Sequence, residues 1–390
     1  MIVILTWQER IALMQSIFSN ALSEAVSKHI ELSATRRETL AWLTLSIMQQ
    51  GTICLWRLAA YVDSAAAIAS VRRRFYRFFQ FVRLDGACSA RIVADLLGLD
   101  GKEWVLAIDR TNWDFGKAVL AKAGINILMI SVEWHGIGVP LMWTLLASAG
   151  NSDTRTRTCL LDRLRRTFPD LKIASLTGDR EFIGDAWMAY LTAEKIPFVL
   201  RLRENQYVAR EGYETWTVAK IARSLKPGEK ITLKGLCRLG QGDAHNAPAV
   251  RLVILRLVTG ELLALATSSS PRHALARYRA RWRIETLFGN LKTRGFNLED
   301  THLADPAKLS TLLTLLALAV ALSVKTGVAA QRLRPIPVKK HGRKAFSLFA
   351  HGLHTLRKIF ASADQGQVFV FLEKLLSPKS PLKPLKSMAI

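Results

Sequence analysis

The sequence predicts an α/β protein in which a mixed sheet with flanking helices follows an all-helical N-terminal region and is interrupted by a β-rich insertion. Three observations indicate this fold class. Residues 1–100 have helical periodicity almost throughout, residues 101–204 alternate β-rich runs with helical segments, and residues 205–270 contain short alternating runs between turn-rich linkers. With 390 residues, half of them hydrophobic, the chain is long enough for a large core and for more than one domain.

The helical region contains an arginine-rich segment interleaved with aromatic residues. Within residues 71–83 it carries Arg72, Arg73, Arg74 and Arg77 but no acid. A helix of this kind is able to lie against phosphates while its rings pack inward or contact bases. The alternative is a solvated basic face on an amphipathic helix.

The region after this segment has the element order of a ribonuclease-H-like fold, β-β-β-α-β-α-β. In that topology the first and fourth strands are parallel neighbours, so Asp109 and Asp179 are expected together at one edge of the sheet. Strands are predicted at 104–109, 125–134, 139–146, 172–179 and 197–203, and helices at 154–168 and 184–194.

The remaining chain divides into three predicted regions. Short alternating runs assign 205–270 to the insertion, and the core resumes at 271–330 with a basic helix that carries Glu285. The apolar stretch at 309–324 is expected to be a buried helix, because it is shorter than the roughly 20 residues that span a bilayer. Residues 331–390 form a basic C-terminal region, expected to contact DNA or to be partly disordered.

The charge balance indicates a polyanionic partner. The 55 Lys and Arg residues against 31 Asp and Glu give a net charge of +24, and nucleic acid is the leading candidate. The basic residues are spread along the chain instead of forming one juxtamembrane cluster, which disfavours a membrane surface. A basic soluble protein without such a partner is the alternative. The scattered cysteines and the lack of a signal-peptide pattern predict a cytoplasmic protein.

Asp109, Asp179 and Glu285 are the candidate catalytic residues and metal ligands. Two carboxylates at strand ends and one on a helix are able to hold two divalent cations about 3.5–4 Å apart, which activate a water and stabilise the leaving oxygen in nucleic-acid cleavage. Oxygen ligands without a Cys/His set suit Mg²⁺ or Mn²⁺. Each Asp alone is also explained as a strand-end cap or an Asx turn, but this does not account for the matching Glu helix.

The predicted helix around Glu285 places further polar groups beside that carboxylate. At about 100° per residue, Tyr278, Arg281, Glu285 and Lys292 share an arc about 60° wide. A phenol and two cations there are suited to DNA phosphates next to the scissile bond. A surface ion pair between Arg281 and Glu285, four residues apart, is the alternative for that pair.

The pattern Tyr278-x2-Arg281-x3-Glu285-x6-Lys292 resembles the Y-REK signature of the DDE transposases of insertion sequence family four. Residues 109–111 and 178–182 resemble acidic motifs of the same family, and the resemblance spans about residues 70–330.

This resemblance implies the metal-ligand roles of Asp109, Asp179 and Glu285, and it makes Tyr278, Arg281 and Lys292 contacts to transposon-end DNA. It further implies a cut-and-paste reaction through a hairpin intermediate, and a homodimer when two ends are paired. Trp216, the tryptophan of the insertion, is matched to a residue that stacks on a flipped base.

Two alternatives to a transposase remain. Another ribonuclease-H-like endonuclease would use the same acids without joining strands. A transposase-derived DNA-binding protein would retain the acids without cleaving, although intact Asp109, Asp179 and Glu285 disfavour it.

Overall fold

A mixed eight-stranded sheet organises the part of the chain that the structure describes. The computed structural model describes residues 7–113, 124–147, 150–241, 248–301, 303–340, 342–361, 370–371 and 374–376. The strands are β1 (Glu103–Trp113), β2 (Ile125–Trp134), β3 (Ile137–Leu145), β4 (Lys172–Gly178), β5 (Phe198–Arg201), β6 (Tyr207–Arg210), β7 (Tyr213–Thr217), β8 (Lys230–Thr232), β9 (Arg238–Leu239), β10 (Arg251–Arg256) and β11 (Leu262–Thr267). Their order in the large sheet is β3-β2-β1-β4-β5-β11-β10-β8.

Helices precede the sheet, flank it and follow it. They are α1 (Trp7–Ser27), α2 (Ala34–Gln50), α3 (Leu55–Tyr61), α4 (Ile68–Phe81), α5 (Gly86–Leu97), α6 (Thr154–Thr167), α7 (Asp185–Ala193), α8 (Val218–Ile221), α9 (Ala274–Tyr278), α10 (Arg281–Leu291), α11 (Pro306–Leu333) and α12 (Leu348–Phe360). The helical N-terminal region and the order β1-β2-β3-α6-β4-α7-β5 confirm the predicted α/β, ribonuclease-H-like fold class.

The two predicted acids follow the central parallel strand pair. Pairing of β1 with β4 ends where Ile108 lies opposite Gly178, so Asp109 and Asp179 are each the next residue of their chain segment. The prediction that the first strand ends at Asp109 is wrong. β1 continues to Trp113, because residues 109–113 remain paired with β2 in an antiparallel hairpin.

The strands of the predicted insertion belong to two sheets. β6, β7 and β9 form a separate three-stranded sheet, whereas β8, β10 and β11 extend the large one. β11 pairs antiparallel with β5, with Leu265 opposite Arg201. The apolar residues of β10 and β11 are mostly buried, which stabilises their position inside the large sheet. The boundaries of the predicted domains stay a prediction.

The helix that carries Glu285 packs closely on the sheet. α10 lies against β3 and β1, whereas α9 lies against β4, β5 and β11. A Cβ added to Gly138 would lie 2.8 Å from the carbonyl oxygen of Arg283, so only glycine allows this approach of α10 to β3. The prediction of one continuous helix through Tyr278 and Lys292 is wrong. The two helices pack on different strands, and a turn at 279–280 separates them.

The apolar segment at 309–324 lies within α11, as predicted, and is buried. Among the described residues, α11 is the helix that is long and apolar enough to cross a membrane, but 94% of its most apolar window is buried inside the protein. Helices α2, α5 and α12 pack on it. α12 belongs to the predicted basic C-terminal region, and that region's residues 341, 362–369, 372–373 and 377–390 lie outside the described residues.

A lysine within α11 makes stability depend on pH. Lys325 is 6% exposed, and burial lowers its pKa from 10.5 to about 8, opposed by the carboxylate of Asp95. Between these values the unfolded chain binds more protons than the folded one, so stability rises with pH. We expect the unfolding free energy of the native chain, relative to Lys325→Met, to increase by up to about 3 kcal/mol from pH 7.5 to pH 10.5. Urea titrations at the two pH values measure this difference, and an unchanged difference contradicts the assignment.

Candidate active site

Asp109 is a partly buried carboxylate on β1, and its side chain is 16% exposed. Its Oδ1 accepts a hydrogen bond from the backbone N–H of Arg110 at 2.8 Å, and its Oδ2 lies 3.8 Å from Nη1 of Arg281. Burial raises the pKa of Asp109 to about 6. The Arg110 N–H and the Arg281 charge lower it, and the carboxylates of Asp179 and Glu285 raise it. Because burial disfavours the isolated negative charge, a cation is strongly favoured beside this group.

Asp179 lies directly after β4, at the start of the 3₁₀ turn Arg180–Phe182. The hydroxyl of Tyr278, at the end of α9, lies 3.4 Å from its Oδ1. Tyr278 is 2% exposed and packs on Val199 and Leu265 of the sheet. Burial raises the pKa of Tyr278, so the phenol stays protonated and donates to the Asp179 carboxylate.

Arg281 lies between the acids. Its Nη1 donates to Oε1 of Glu285 at 2.6 Å, and its guanidinium carbon lies 5.5 Å from the centroid of the Tyr278 ring. The Arg281 side chain is 5% exposed, whereas that of Glu285 is 48% exposed. The structure therefore brings Asp109, Asp179 and Glu285 around one buried guanidinium.

These residues fit a divalent cation after a side-chain rearrangement. Among the described residues, no three His, Cys, Asp or Glu side chains are grouped closely enough to hold a metal ion, and Arg281 contacts both Asp109 and Glu285. The donors are nevertheless carboxylate oxygens, which Mg²⁺ and Mn²⁺ prefer. In that rearrangement the half-exposed Glu285 would turn from Arg281 toward the cation, and the bound cation would offset the loss of this ion pair. The Nε of Arg281 is buried without a hydrogen-bond partner among the described residues, so one donor of this guanidinium is unpaired in this arrangement.

Lys292 lies beyond the end of α10 and is anchored at the end of β1. Its Nζ donates to the carbonyl oxygen of Asn112 at 3.0 Å and contacts Oε1 of Glu299 at 2.8 Å. The same ammonium lies 5.6 Å from the centroid of the Trp113 ring. It is therefore held at the end of β1, the strand that carries Asp109.

A hydrogen-bonded pair that the sequence analysis did not identify connects the segments of the two aspartates. Arg110 Nε lies 3.1 Å from both carboxylate oxygens of Glu181, and Arg110 Nη1 donates to Oδ1 of Asn126 at 3.1 Å. Ser152 donates to Glu181 through its backbone N–H at 3.3 Å and its hydroxyl at 3.2 Å. Glu181 is therefore occupied as an ion-pair partner. The sequence did offer a signal, because both residues lie close to a predicted aspartate. Arg110 directly follows Asp109, and Glu181 lies two residues after Asp179.

Arg74, one of the predicted DNA-binding arginines, packs α4 onto α2. Its Nη2 donates to Oε2 of Glu38 at 2.6 Å, and its Nε donates to the hydroxyl of Thr39 at 2.7 Å. The guanidinium carbon lies 4.2 Å from the centroid of the Trp42 ring. Most of its donors are therefore used within the protein.

The other predicted arginines of α4 lie on its surface. Arg73 and Arg77 line a cleft of about 630 Å³ together with Arg36. Arg72 faces a different cleft and contacts two aromatic rings, those of Trp56 and Tyr76. α4 thus presents cations to two neighbouring clefts.

Trp216 lies on β7 in the small sheet. Its Nε1 donates to Oε2 of Glu214 at 2.9 Å, and the ammonium of Lys220 lies 4.3 Å from the ring centroid. These local contacts hold a partly exposed indole beside a lysine.

The strand order, with Asp109 within β1, Asp179 directly after β4 and Glu285 on α10, is the arrangement expected of a DDE-type nucleic-acid-processing domain. Residues 100–322 match the family described as "Transposase DDE domain", and the chain belongs to this family. No curated protein matches the chain. Membership makes the protein a transposase and implies DNA as its partner.

Proposed function

We propose that this transposase is a metal-dependent enzyme of insertion sequence family four that cleaves double-stranded DNA at transposon ends and transfers the ends into target DNA. The observation that carries the proposal is the convergence of Asp109, Asp179 and Glu285 around Arg281. The acids come from two adjacent parallel strands and from a helix packed across β1 and β3, so the scaffold that holds them is rigid.

Asp109, Asp179 and Glu285 would hold two divalent cations, Mg²⁺ or Mn²⁺. When bound, such ions lower the pKa of the attacking water or hydroxyl and neutralise the charge on the leaving oxygen. The buried Tyr278 hydroxyl donates to Asp179 and fixes its orientation. Arg281 exchanges its contact with Glu285 for a DNA phosphate, to which guanidinium groups bind in a bidentate manner.

Residues around this centre bind the transposon end. Lys292, anchored at the end of β1, contributes a phosphate contact, and Arg72, Arg73 and Arg77 add contacts from α4. Arg74 supports them by holding α4 on α2. Trp216 stacks on a flipped base in a hairpin-forming cut-and-paste reaction.

The assembly that acts is a homodimer, because synapsis pairs two DNA ends. It works in the cytoplasm on the nucleoid of a prokaryote and requires no membrane. Light scattering of the protein with and without end DNA measures its oligomeric state.

Glu285→Gln is expected to abolish Mg²⁺-dependent cleavage of a duplex that carries the inverted repeat flanking the gene, while DNA binding persists. The substitution keeps the shape of the side chain and removes a metal-binding charge, which lowers the rate by about 10³-fold or more. Glu103→Gln, the same change at an exposed position at the start of β1, is the matched control. Cleavage that survives Glu285→Gln shows that Glu285 is not a ligand.

The contact of Arg281 with Glu285 favours one second candidate, a transposase-derived DNA-binding protein whose acids are permanently neutralised by this arginine. Binding of the inverted repeat without cleavage by the native chain supports it. A third outcome, cleavage without strand transfer, identifies another ribonuclease-H-like endonuclease.

A further inference from the structure

Three side chains of the helical region form a cation–aromatic cluster on the protein surface. The guanidinium carbon of Arg72 lies 5.3 Å from the ring centroid of Trp56 and 5.3 Å from that of Tyr76. Arg72 Nη2 also donates to the Tyr76 hydroxyl at 3.3 Å. Trp56 is 51% exposed and Tyr76 is 49% exposed. Because Arg72 holds both rings in place, their exposed surfaces are ready for stacking with little loss of conformational freedom on binding.

The cluster forms one wall of a cleft between the helical region and the segment that follows α10. The cleft has a volume of about 460 Å³, and its floor includes the buried side chains of Phe79 and Leu312. This size lies within the range of about 300–1,000 Å³ that is typical of ligand clefts. An apolar floor beside a wall with two aromatic rings suits a flat, unsaturated ring.

The opposite wall connects the cleft to the active-site region. It includes Asp300, which directly follows Glu299, and Glu299 is the ion-pair partner of Lys292. Lys292 in turn is fixed to the end of β1, three residues after Asp109. The cleft is therefore linked through the segment 292–300 to the end of β1, the strand that carries Asp109.

The charges at the cleft distinguish a base from a phosphate as its occupant. Arg57 and Arg72 are the cations among its lining residues, and Asp300 contributes a negative charge. The Asp300 carboxylate would repel a phosphate inside the cleft, whereas it would not repel an uncharged base. Arg57 is exposed and is available for the phosphate of the same nucleotide.

We propose that Trp56, Arg72 and Tyr76 form a stacking site for an unpaired nucleobase of a DNA strand that extends from the active site. The proposal rests on the proposed function only in taking DNA as the substrate. Stacking between a base and an aromatic side chain tolerates any sequence, because every base has a π face. The site therefore favours DNA ends with unpaired bases over blunt duplex.

The test compares binding of three labelled duplexes by fluorescence anisotropy in EDTA, which prevents cleavage. One duplex is blunt, one carries a short single-stranded extension, and one carries an extension of equal length made of abasic nucleotides. The abasic extension keeps the phosphates and removes the bases. We expect the native chain to bind the normal extension about 5- to 100-fold more tightly than the abasic one, in line with stacking of one base.

Trp56→Ala and Tyr76→Ala are expected to remove this preference, and Trp56→Phe is expected to retain most of it. Tyr213→Ala is the matched control, because Tyr213 is an exposed aromatic residue with Arg210 at 4.1 Å, far along the chain in the small sheet. Circular dichroism confirms that each variant is folded. The assay needs neither metal nor an inverted repeat, so its result is independent of the cleavage test.

Two outcomes overturn the proposal. One is equal affinity of the native chain for normal and abasic extensions. The other is a preference that survives in both alanine variants. Light scattering tests whether the cleft binds another protein chain instead. If Trp56→Ala dissociates an oligomer and leaves the preference for normal extensions unchanged, the cleft is a protein interface and the proposal fails.

Discussion

Asp109→Asn is expected to lower DNA cleavage by about 10³-fold or more without lowering the stability of the fold. The native carboxylate is largely buried, and burial raises its pKa to about 6. Asn keeps the size of the side chain and an oxygen that accepts the Arg110 N–H, while it removes the charge that is unfavourable in this environment. Loss of activity with retained or increased stability is typical of a functional group held in an unfavourable setting.

Three measurements on one preparation check this expectation. Cleavage of end DNA in Mg²⁺ gives the activity, thermal unfolding gives the stability, and calorimetric titration with Mn²⁺ gives metal affinity. Asp100→Asn, at an exposed position before β1, is the matched control and should change none of them. Normal cleavage by Asp109→Asn contradicts the ligand role, whereas a loss of stability shows that Asp109 mainly supports the fold.

The core of the fold was predictable because its signals are local. β2 is a strongly apolar run and β1 begins with one, and a parallel β1–β4 pair follows from the strand order, so Asp109 and Asp179 were correctly expected together. The end of β1 was not predictable from its own residues, because the register with β2 decides it. Likewise, the sequence pattern of β10 and β11 predicts a short hairpin but not the sheet to which it belongs. Only the pairing of β11 with β5 places the two strands in the large sheet.

The candidate site was predictable in its residue types and less so in its contacts. The spacing of Tyr278, Arg281 and Glu285 indicated which side chains belong to the candidate site. It did not indicate the turn at 279–280, which places the Tyr278 hydroxyl beside Asp179 and the Arg281 guanidinium beside the Tyr278 ring. The contact of Arg74 with Glu38 joins two residues that are 36 positions apart in the chain, on α4 and α2, and no periodicity predicts such a pair. The cluster of Trp56 with Arg72 was unpredictable for the same reason, because it joins side chains of two different helices, α3 and α4.

Glu181→Ala is expected to destabilise the protein by about 2–3 kcal/mol, because it leaves Arg110 without its partner in a pair whose side chains are 18% and 17% exposed. Arg110 and Glu181 each lie within two residues of a proposed metal ligand, so the loss also shifts Asp109 relative to Asp179. A misplacement of this kind lowers cleavage by about 10²-fold. Urea unfolding and cleavage rates measure the two effects.

The pair of Arg165 with Glu194 supplies the control, since both of its side chains are 38% exposed. Glu194→Ala should change the unfolding free energy by less than about 1 kcal/mol and leave cleavage unaffected, because water and salt weaken an exposed pair. Glu181→Gln separates the two roles of the native residue, as it keeps an oxygen for Ser152 and Arg110 but not the charge. If Gln restores cleavage, Glu181 acts by positioning Arg110 and the neighbouring strands. If Gln is as inactive as Asp109→Asn and also loses Mn²⁺ affinity, the charge of Glu181 belongs to the metal site itself, and the interpretation of Glu181 as a positioning residue is wrong.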